Sequence, residues 1–367
     1  MSYIVMLRQA QHDTFDDTLS LRRELSRTLV EGSSYSSCQK YMDTIQVVNL
    51  TKEFKTYNVK NGFWGAIAGA ISRKAAFTKA IDNINFTIKK GEFVGYVGEN
   101  GAGKSTTIKI LTGILVPTSG KAFVNNLVPY KNRRENAMKI GVVFGQRTQL
   151  WWDLAVRESF DLLKSIYKIP EDRFEKNMQH FYDILSIDKY LDVPVRKLSL
   201  GQRMRCDLAA SLLHDPEVLF LDEPTIGLDV VAKDAIRQFL KEINEKKSTT
   251  IILTTHDMMD IEHLCERIII LDKGKIISDG STDLLKKNYG QYRVMEIEFQ
   301  NEFSGLNGIK DIKLLREEGC KKWIRFNGSD LSASDVISKI AVKHQIKDLS
   351  IQEPTVEDII KSIYNGT

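Results

Sequence analysis

A short glycine-rich segment carries the clearest chemistry in this sequence. Residues 98–105 read GENGAGKS, which fits the pattern G-x-x-x-x-G-K-S/T. An apolar run at 93–97 predicts a buried strand before it, and residues 104–115 predict a helix after it. Glycines allow the backbone to turn its N–H groups around phosphate oxygens, and the start of a helix adds positive potential. The segment is therefore predicted to be a phosphate-binding loop, called the P-loop below.

The P-loop predicts which residues contact a nucleotide. Lys104 is expected to reach the β- and γ-phosphates, and the Ser105 hydroxyl to coordinate Mg²⁺. The expected nucleotide-binding residues of the loop are Gly98, Glu99, Asn100, Gly101, Ala102, Gly103, Lys104, Ser105 and Thr106. A P-loop alone suits a GTPase or a small-molecule kinase as well as an ATPase. The sequence contains no Asn-Lys-x-Asp motif for reading guanine, which counts against a GTPase.

Two adjacent acids end another apolar run. Residues 218–224 read VLFLDEP, so a buried strand would carry Asp222 and Glu223 at its carboxyl end. In open α/β sheets, ligands bind outside the carboxyl ends of the strands. Asp222 is expected to be a Mg²⁺ partner through water, and Glu223 to polarise the water that attacks the γ-phosphate.

The pattern of strands and helices indicates how these groups are positioned. From about residue 45 to 285, apolar strand-like runs, including 251–254 and 267–271, alternate with helical stretches. This alternation predicts an α/β domain with a largely parallel sheet. Beyond it, the sequence predicts a small α+β domain with strands at 293–299, 309–315 and 322–326 and helices at 332–344 and 356–364. The predicted division is a poorly ordered extension at 1–41, a nucleotide-binding domain at 42–288 and a C-terminal domain at 289–367.

A peptide ahead of the acidic strand end identifies a family. Residues 198–202 read LSLGQ and resemble the L-S-G-G-Q signature that opens a helix in the ATP-binding cassette (ABC) family. Ser199, Gly201 and Gln202 match the signature, and Leu200 replaces its first glycine. A hydroxyl group, a glycine backbone without a side chain and a helix N-terminus can all bind an anion. The signature peptide is therefore expected to bind phosphate as a second site. The resemblance covers about 45–285.

The resemblance implies the fold and the cofactors. The fold is a P-loop NTPase cassette with a RecA-like core, an antiparallel β subdomain and a helical subdomain that carries the signature peptide. The implied cofactors are ATP and Mg²⁺, and the implied activity is ATP hydrolysis coupled to membrane transport.

The other family motifs follow in order. Gln146 matches the Q-loop glutamine, which in the family touches Mg²⁺ and the attacking water and links ATP to the permease. Asp229, in the peptide GLD at 227–229, matches the D-loop, which communicates across a dimer, and His256 matches the switch histidine at the γ-phosphate. Phe54 lies where the family stacks an aromatic ring on adenine, and Tyr57 is a competing candidate for that role.

The resemblance also implies the assembly. Two cassettes meet head to tail, and the second is an identical or an unlike chain. ATP then lies between Ser199 and Gly201 of one cassette and four residues of the other, Lys104, Gln146, Glu223 and His256. No run of the sequence approaches the roughly 20 apolar residues that a membrane-spanning helix needs, so a separate integral-membrane permease is expected to supply the pore. The chain is expected to lie peripherally on the cytoplasmic face of the cell membrane.

Two segments resemble one exporter subgroup. Residues 144–153, FGQRTQLWWD, and 224–233, PTIGLDVVAK, look like ATPases grouped with viologen and drug exporters, which implies export. Leu150, Trp151 and Trp152 are expected to receive a coupling helix of the permease, unless both tryptophans belong to the core. The segment 61–77 is expected either near the membrane surface or permease gate, or packed on its own sheet.

The composition of the chain limits which partners and functions are expected. With 52 Lys and Arg against 48 Asp and Glu, the net charge of +4 is too small to indicate nucleic acid as the main partner. The four cysteines have no metal-knuckle spacing and are expected to be free thiols. The alternative function is a soluble ABC ATPase in translation or DNA maintenance. The single cassette, uninterrupted by a coiled coil or a zinc module, argues against it.

Overall fold

The computed structural model describes residues 43–57, 75–145, 147–289, 292–301, 312–328, 331–342 and 344–365. The predicted extension at 1–41, nearly all of the segment 61–77, and Gln146 lie outside these residues. The chain divides into two compact units, one up to residue 277 and one from residue 278.

The larger unit contains two sheets. Its strands are β1 (Asp43–Tyr57), β2 (Ala75–Lys89), β3 (Phe93–Gly98), β4 (Ser119–Val124), β5 (Ile140–Phe144), β6 (Val218–Asp222), β7 (Thr250–Thr254), β8 (Arg267–Asp272) and β9 (Lys275–Ser281), the last of which crosses the division between the units. The six-stranded sheet has the order β5-β6-β7-β3-β8-β9, and its pairs from β5 to β8 are parallel. The three-stranded sheet has the order β2-β1-β4 and is antiparallel.

The apolar sequences of the parallel strands explain why these strands lie in the centre of the unit. Every residue of β3 and of β7 is buried, so neither strand shows the alternation of a half-exposed strand. Such continuous burial requires cover on both faces of the sheet, which is the usual condition of parallel strands. One apolar cluster joins the two sheets, since Ile45 and Ile81 of the antiparallel sheet share it with Phe220 and Ile269 of the parallel sheet.

Helices follow the strands and cover them. In the larger unit they are α1 (Lys104–Leu111), α2 (Arg133–Lys139), α3 (Val156–Tyr167), α4 (Glu171–Leu185), α5 (Leu200–Leu212), α6 (Val230–Lys247) and α7 (Met258–Leu264). Helices α3, α4 and α5 form the helical part, in which Phe160, Leu163, Phe181 and Leu185 are buried. The predicted helix at 104–115 is shorter than expected, because Thr112 ends it and Gly113 has a φ of 80°.

The smaller unit is an α+β fold around one sheet. Its elements are α8 (Thr282–Tyr289), β10 (Tyr292–Phe299), β11 (Ile312–Glu318), β12 (Lys321–Asn327), α9 (Ala333–Ala341), β13 (Ile346–Gln352) and α10 (Val356–Asn365). The antiparallel order is β11-β12-β10-β13, and the core includes Met295, Ile297, Ile324, Phe326, Val336 and Ile340. Helix α8 packs against α10, which is why the division falls earlier than the predicted boundary at 288/289.

Strand β13 was not predicted. It is an edge strand whose residues after Ile346 are all exposed, and only Leu349 and Ile351, opposite Ile297 and Met295, carry the apolar alternation. Within the described ranges, no helix is long and apolar enough to cross a membrane.

Candidate nucleotide-binding site

The P-loop joins the end of β3 to the start of α1. Gly101 and Gly103 have φ values of 86° and 112°, in the left-handed region that glycine adopts without strain. A Cβ atom on Gly103 would lie 2.5 Å from the Ala80 carbonyl oxygen, so the close approach of β2 also requires glycine here. Gly103 caps α1 without a side-chain hydrogen bond. The first N–H groups of α1 are therefore free of a side-chain cap and suited to an anion.

Lys104 is held inside the loop that precedes it. Its side chain is buried, and its Nζ donates hydrogen bonds to the carbonyl oxygens of Gly98 and, at 3.1 Å, Glu99. Burial lowers the pKa of Lys104, while the negative charges of Glu223 and Asp222 oppose that shift. Among the other predicted loop residues, Glu99, Asn100 and Gly101 are exposed and Ser105 and Thr106 are half-buried. The remaining three, Gly98, Ala102 and Gly103, are buried.

The oxygen donors expected for Mg²⁺ lie together. Ser105 Oγ donates a hydrogen bond of 3.3 Å to Asp222 Oδ1, and Thr254 Oγ1 donates to the same oxygen at 2.5 Å. Among the described residues, no group of three or more His, Cys, Asp or Glu side chains can hold a metal by itself. A serine hydroxyl and one carboxylate fit Mg²⁺, which protein sites usually bind through few side chains together with phosphates and water.

Glu223 and His256 form a pair beside these donors. His256 Nε2 lies 3.0 Å from Glu223 Oε1, with the imidazole partly exposed and the carboxylate half-buried. Glu223 has a φ of 57°, a conformation that costs a non-glycine residue free energy and occurs often at functional sites. Its N–H donates to the Thr254 carbonyl oxygen at 2.8 Å, so the end of β7 holds this turn.

The chain next to Gln146 touches the same turn. Gly145 N–H donates to the Asp222 carbonyl oxygen at 2.7 Å. A Cβ atom on Gly145 would lie 2.1 Å from the Glu223 carbonyl oxygen, closer than any real contact. Gln146 itself is not among the described residues, and its predicted role stays a prediction.

The signature peptide begins α5 as predicted, but its polar groups bond to each other. Ser199 Oγ accepts from the Gln202 N–H, and Gln202 Oε1 accepts from the Ser199 N–H. Ser199 remains exposed. Within the described part of the chain, no hydrogen bond joins the signature peptide to the P-loop. Among the described residues, the structure thus brings Lys104, Ser105 and Asp222 together with Glu223 and His256. The signature peptide lies outside that group.

The D-loop lies against the signature helix. A Cβ atom on Gly227 would lie 2.9 Å from Leu200 Cδ2, so the leucine that departs from the family pattern packs beside this glycine. Asp229 caps α6, accepting a hydrogen bond of 2.8 Å from the Ala232 N–H. Sequence reasoning missed this contact, since nothing in either peptide alone indicates the other.

Phe54 and the large residues after Gln146 differ in exposure. Phe54 lies in β1 and is 39% exposed, and the Lys52 ammonium lies 5.2 Å from its ring centre. Of the three large residues after Gln146, Leu150 is buried in the core, whereas Trp152 is 50% exposed. The expectation that Leu150 receives a permease helix is therefore wrong. The Arg203 guanidinium of α5 lies 5.5 Å from the Trp152 ring centre.

Comparisons with known proteins identify the family. Residues 81–226 match the family model described as ABC transporter. The chain is 30% identical over 212 residues to the ABC transporter ATP-binding protein NatA of Bacillus subtilis, covering 58% of this chain and 86% of NatA. It is 30% identical over 296 residues to the bacitracin transport ATP-binding protein BcrA of Bacillus licheniformis, covering 79% of this chain and 94% of BcrA.

A solved structure supports the same conclusion. A dimeric ATP-binding cassette in a post-hydrolysis state, bound to ADP and Pi, is 28% identical with a TM-score of 0.53 and covers 65% of this chain and 98% of its own. The predicted ABC cassette fold is thereby confirmed. The chain belongs to the family of ATP-binding subunits of ABC transporters, which are ATPases.

Proposed function

We propose that this chain binds ATP with Mg²⁺ and hydrolyses it in a head-to-tail dimer of cassettes, powering export through a separate membrane permease. The observation that carries the proposal is the Glu223–His256 pair, 3.0 Å apart, beside the buried Lys104 and the Ser105–Asp222 oxygen donors. These side chains together supply what phosphoryl transfer to water requires: a base, a γ-phosphate contact and charge neutralisation.

Each side chain has a separate task in this proposal. Lys104 and the first N–H groups of α1 bind the phosphates, and Ser105 and Asp222 hold Mg²⁺, which neutralises charge on the phosphate oxygens. Glu223 accepts a proton from the attacking water, and His256 orients the carboxylate and contacts the γ-phosphate. Gln146 contacts the attacking water and Mg²⁺. Phe54 stacks on the adenine ring.

Exposed groups near the signature peptide support the dimer. Ser199 is exposed, as are three apolar side chains around the D-loop, with Ile226 at 42%, Val230 at 73% and Val231 at 75% exposure. A monomer gains nothing from three exposed aliphatic residues in one short segment, whereas a facing cassette would cover them. The partner's ATP would then lie against Ser199, Gly201, Gln202 and Asp229.

Export through a permease rests on the similarity to transporter subunits and on the exposed Trp152. Tryptophan and arginine are both enriched among the residues that contribute most of the binding energy at protein interfaces. The direction, export, rests on the resemblance of residues 144–153 and 224–233 to the drug-exporter subgroup; one relative, the bacitracin transport protein BcrA, is similar over 94% of its length.

The proposal is tested by purifying the tagged chain from native membranes and from the soluble fraction. A transporter subunit is expected to co-purify with a polytopic membrane protein and to hydrolyse MgATP in that complex, with hydrolysis lost in Lys104→Ala. Exclusive recovery with ribosomes or DNA-repair proteins would support the alternative of a non-transport ABC ATPase.

A further inference from the structure

A buried carboxylate lies behind the Glu223–His256 pair without belonging to it. Asp260, on α7, is 0% exposed. Its Oδ1 accepts a hydrogen bond of 2.6 Å from Arg237 Nε, and its Oδ2 accepts from Thr225 Oγ1 at 2.5 Å and from Thr255 Oγ1 at 3.3 Å. Complete burial of a carboxylate is tolerated only when partners of this kind surround it.

The three partners come from three segments of the site. Thr225 follows Glu223 by two residues, and Thr255 immediately precedes His256. Arg237 belongs to α6, the helix that Asp229 caps at its N-terminus. One carboxylate thus joins the turn that carries the proposed base, the loop that carries the proposed switch histidine, and the helix that starts at the D-loop.

Further charges close this network around Asp260. Asp257, the residue after His256, accepts from Lys233 Nζ at 2.6 Å and lies 3.5 Å from Arg237 Nη2. The Thr255 hydroxyl also accepts from the Asp257 N–H at 3.0 Å. The loop that carries His256 is consequently fixed to α6 directly through Asp257 and indirectly through Thr255 and Asp260.

The Glu223 turn is held from two directions. On one side its N–H bonds to the Thr254 carbonyl oxygen, and on the other the Thr225 hydroxyl bonds to Asp260. Because Glu223 has a left-handed backbone, the turn persists only where the surroundings define it. Removing one of the two attachments is expected to change where the carboxylate points.

We propose that Asp260 is a positioning residue: through Thr225 and Thr255 it holds Glu223 and His256 in register with each other and with the D-loop helix α6. It touches neither ATP nor the attacking water. The inference rests on the proposed function, since it assigns a consequence for hydrolysis to a network outside the reacting groups. A role in folding stability alone would leave the chemistry of the folded protein unchanged.

The variants that test this proposal leave the buried ion pair between Asp260 and Arg237 intact. Thr225→Val and Thr255→Val each remove one hydroxyl with little change in shape, and Thr225→Ser restores it. The control matched to Thr225→Val is Thr250→Val, because Thr250 is also buried and its hydroxyl, like that of Thr225, makes one hydrogen bond, accepting from the Gly91 N–H at 3.0 Å. For each purified protein, the kcat and KM for MgATP hydrolysis and the Tm are measured.

Thr225→Val is expected to lower kcat about tenfold to a hundredfold with KM for ATP within about twofold, the range that a lost buried hydrogen bond produces. Thr255→Val acts in the same direction, and it removes two hydrogen bonds, the one to Asp260 at 3.3 Å and the one from the Asp257 N–H at 3.0 Å. Thr225→Ser retains the wild-type kcat, and Thr250→Val lowers the Tm and leaves kcat unchanged. Equal losses of Tm in all three valine variants with unchanged kcat would overturn the proposal.

A second readout does not depend on hydrolysis. The imidazole ¹⁵N signals of His256, assigned with His256→Asn, report its hydrogen bond to Glu223. They are expected to shift in Thr225→Val and to stay in place in Thr250→Val. If the wild type does not hydrolyse MgATP under any condition, the proposed function fails, and these signals alone decide whether Asp260 positions the pair.

Discussion

His256 Nε2 lies 3.0 Å from Glu223 Oε1, which links the loop after β7 to the turn after β6. The two strands are neighbours in the parallel sheet, so their carboxyl ends meet at one edge. The contact orients the carboxylate without covering it, because Glu223 keeps a second oxygen for a water molecule. The pair is therefore expected to act as one unit in hydrolysis.

A double-mutant cycle checks this unit. His256→Ala and Glu223→Gln are each expected to lower kcat by about 10² to 10⁴, the usual contribution of a positioned base. The double variant should be no slower than the worse single variant, because residues that act together show strongly non-additive losses. Steady-state phosphate release measures all four proteins. Multiplying effects would show that the two side chains act independently.

Gly145→Ala tests the contact between the Gln146 segment and the Glu223 turn. The new methyl group would lie 2.1 Å from the Glu223 carbonyl oxygen, so one of the two chains must move. A displacement of about 1 Å at a catalytic group can cost about a hundredfold in rate. We expect a loss of kcat of that order. Gly280→Ala is the control, since among the described residues nothing lies within 4 Å of the place its methyl group would take; equal activities of the two variants would contradict the account.

The ring that stacks on adenine can be identified by two substitutions. Phe54→Ala is expected to raise KM for ATP about threefold to tenfold, the value of one aromatic stacking contact, and to leave kcat unchanged. Tyr57→Ala should leave both parameters unchanged. The opposite result, with KM raised only by Tyr57→Ala, would transfer the role to Tyr57.

Asp207 predicts a pH dependence of stability. It lies on the signature helix α5, where its carboxylate accepts from the Thr148 hydroxyl at 2.8 Å and the Gln149 N–H at 3.0 Å. Burial raises the pKa of Asp207 from 3.8 to about 7, although these hydrogen bonds and the charge of Arg203 oppose the shift. The folded chain therefore binds the proton more tightly than the unfolded chain does.

The sign follows from this difference. Between about pH 4 and pH 7 the folded state holds more protons, so the free energy of unfolding falls as pH rises, by at most about 4 kcal/mol from this group. Asp207→Asn removes the titration. Urea unfolding at several pH values should show the wild type losing stability relative to Asp207→Asn as pH rises, and parallel curves for the two proteins would contradict the pKa assignment.

Local motifs account for what sequence could predict. The P-loop is one continuous peptide whose glycines, lysine and flanking strand are all visible in order, and the two acids at the end of β6 follow a run of apolar residues. Contacts between distant segments are different. The hydrogen bond from the Thr254 hydroxyl to Asp222 cannot be predicted from the local sequence, and neither can the packing of Leu200 beside Gly227. Both contacts depend on how separate elements of the fold meet.

The burial of individual residues was the second feature that the sequence could not predict. Leu150 and Trp152 belong to one apolar peptide, yet the first lies in the core and the second is half exposed. Hydrophobicity alone gives both the same expectation, and only the path of the chain separates them. The edge strand β13 escaped prediction for a related reason, since exposed polar residues occupy most of it.

The central claim is hydrolysis in an ATP-bridged dimer, and one measurement tests it most directly. Purified wild type and Glu223→Gln are compared in steady-state ATPase assays and in size-exclusion chromatography with and without MgATP. Hydrolysis is expected to collapse in Glu223→Gln, and MgATP is expected to convert that variant into a stable dimer that Ser199→Arg prevents. Hydrolysis at wild-type rate in Glu223→Gln, or a variant that stays monomeric with ATP bound, would contradict the account.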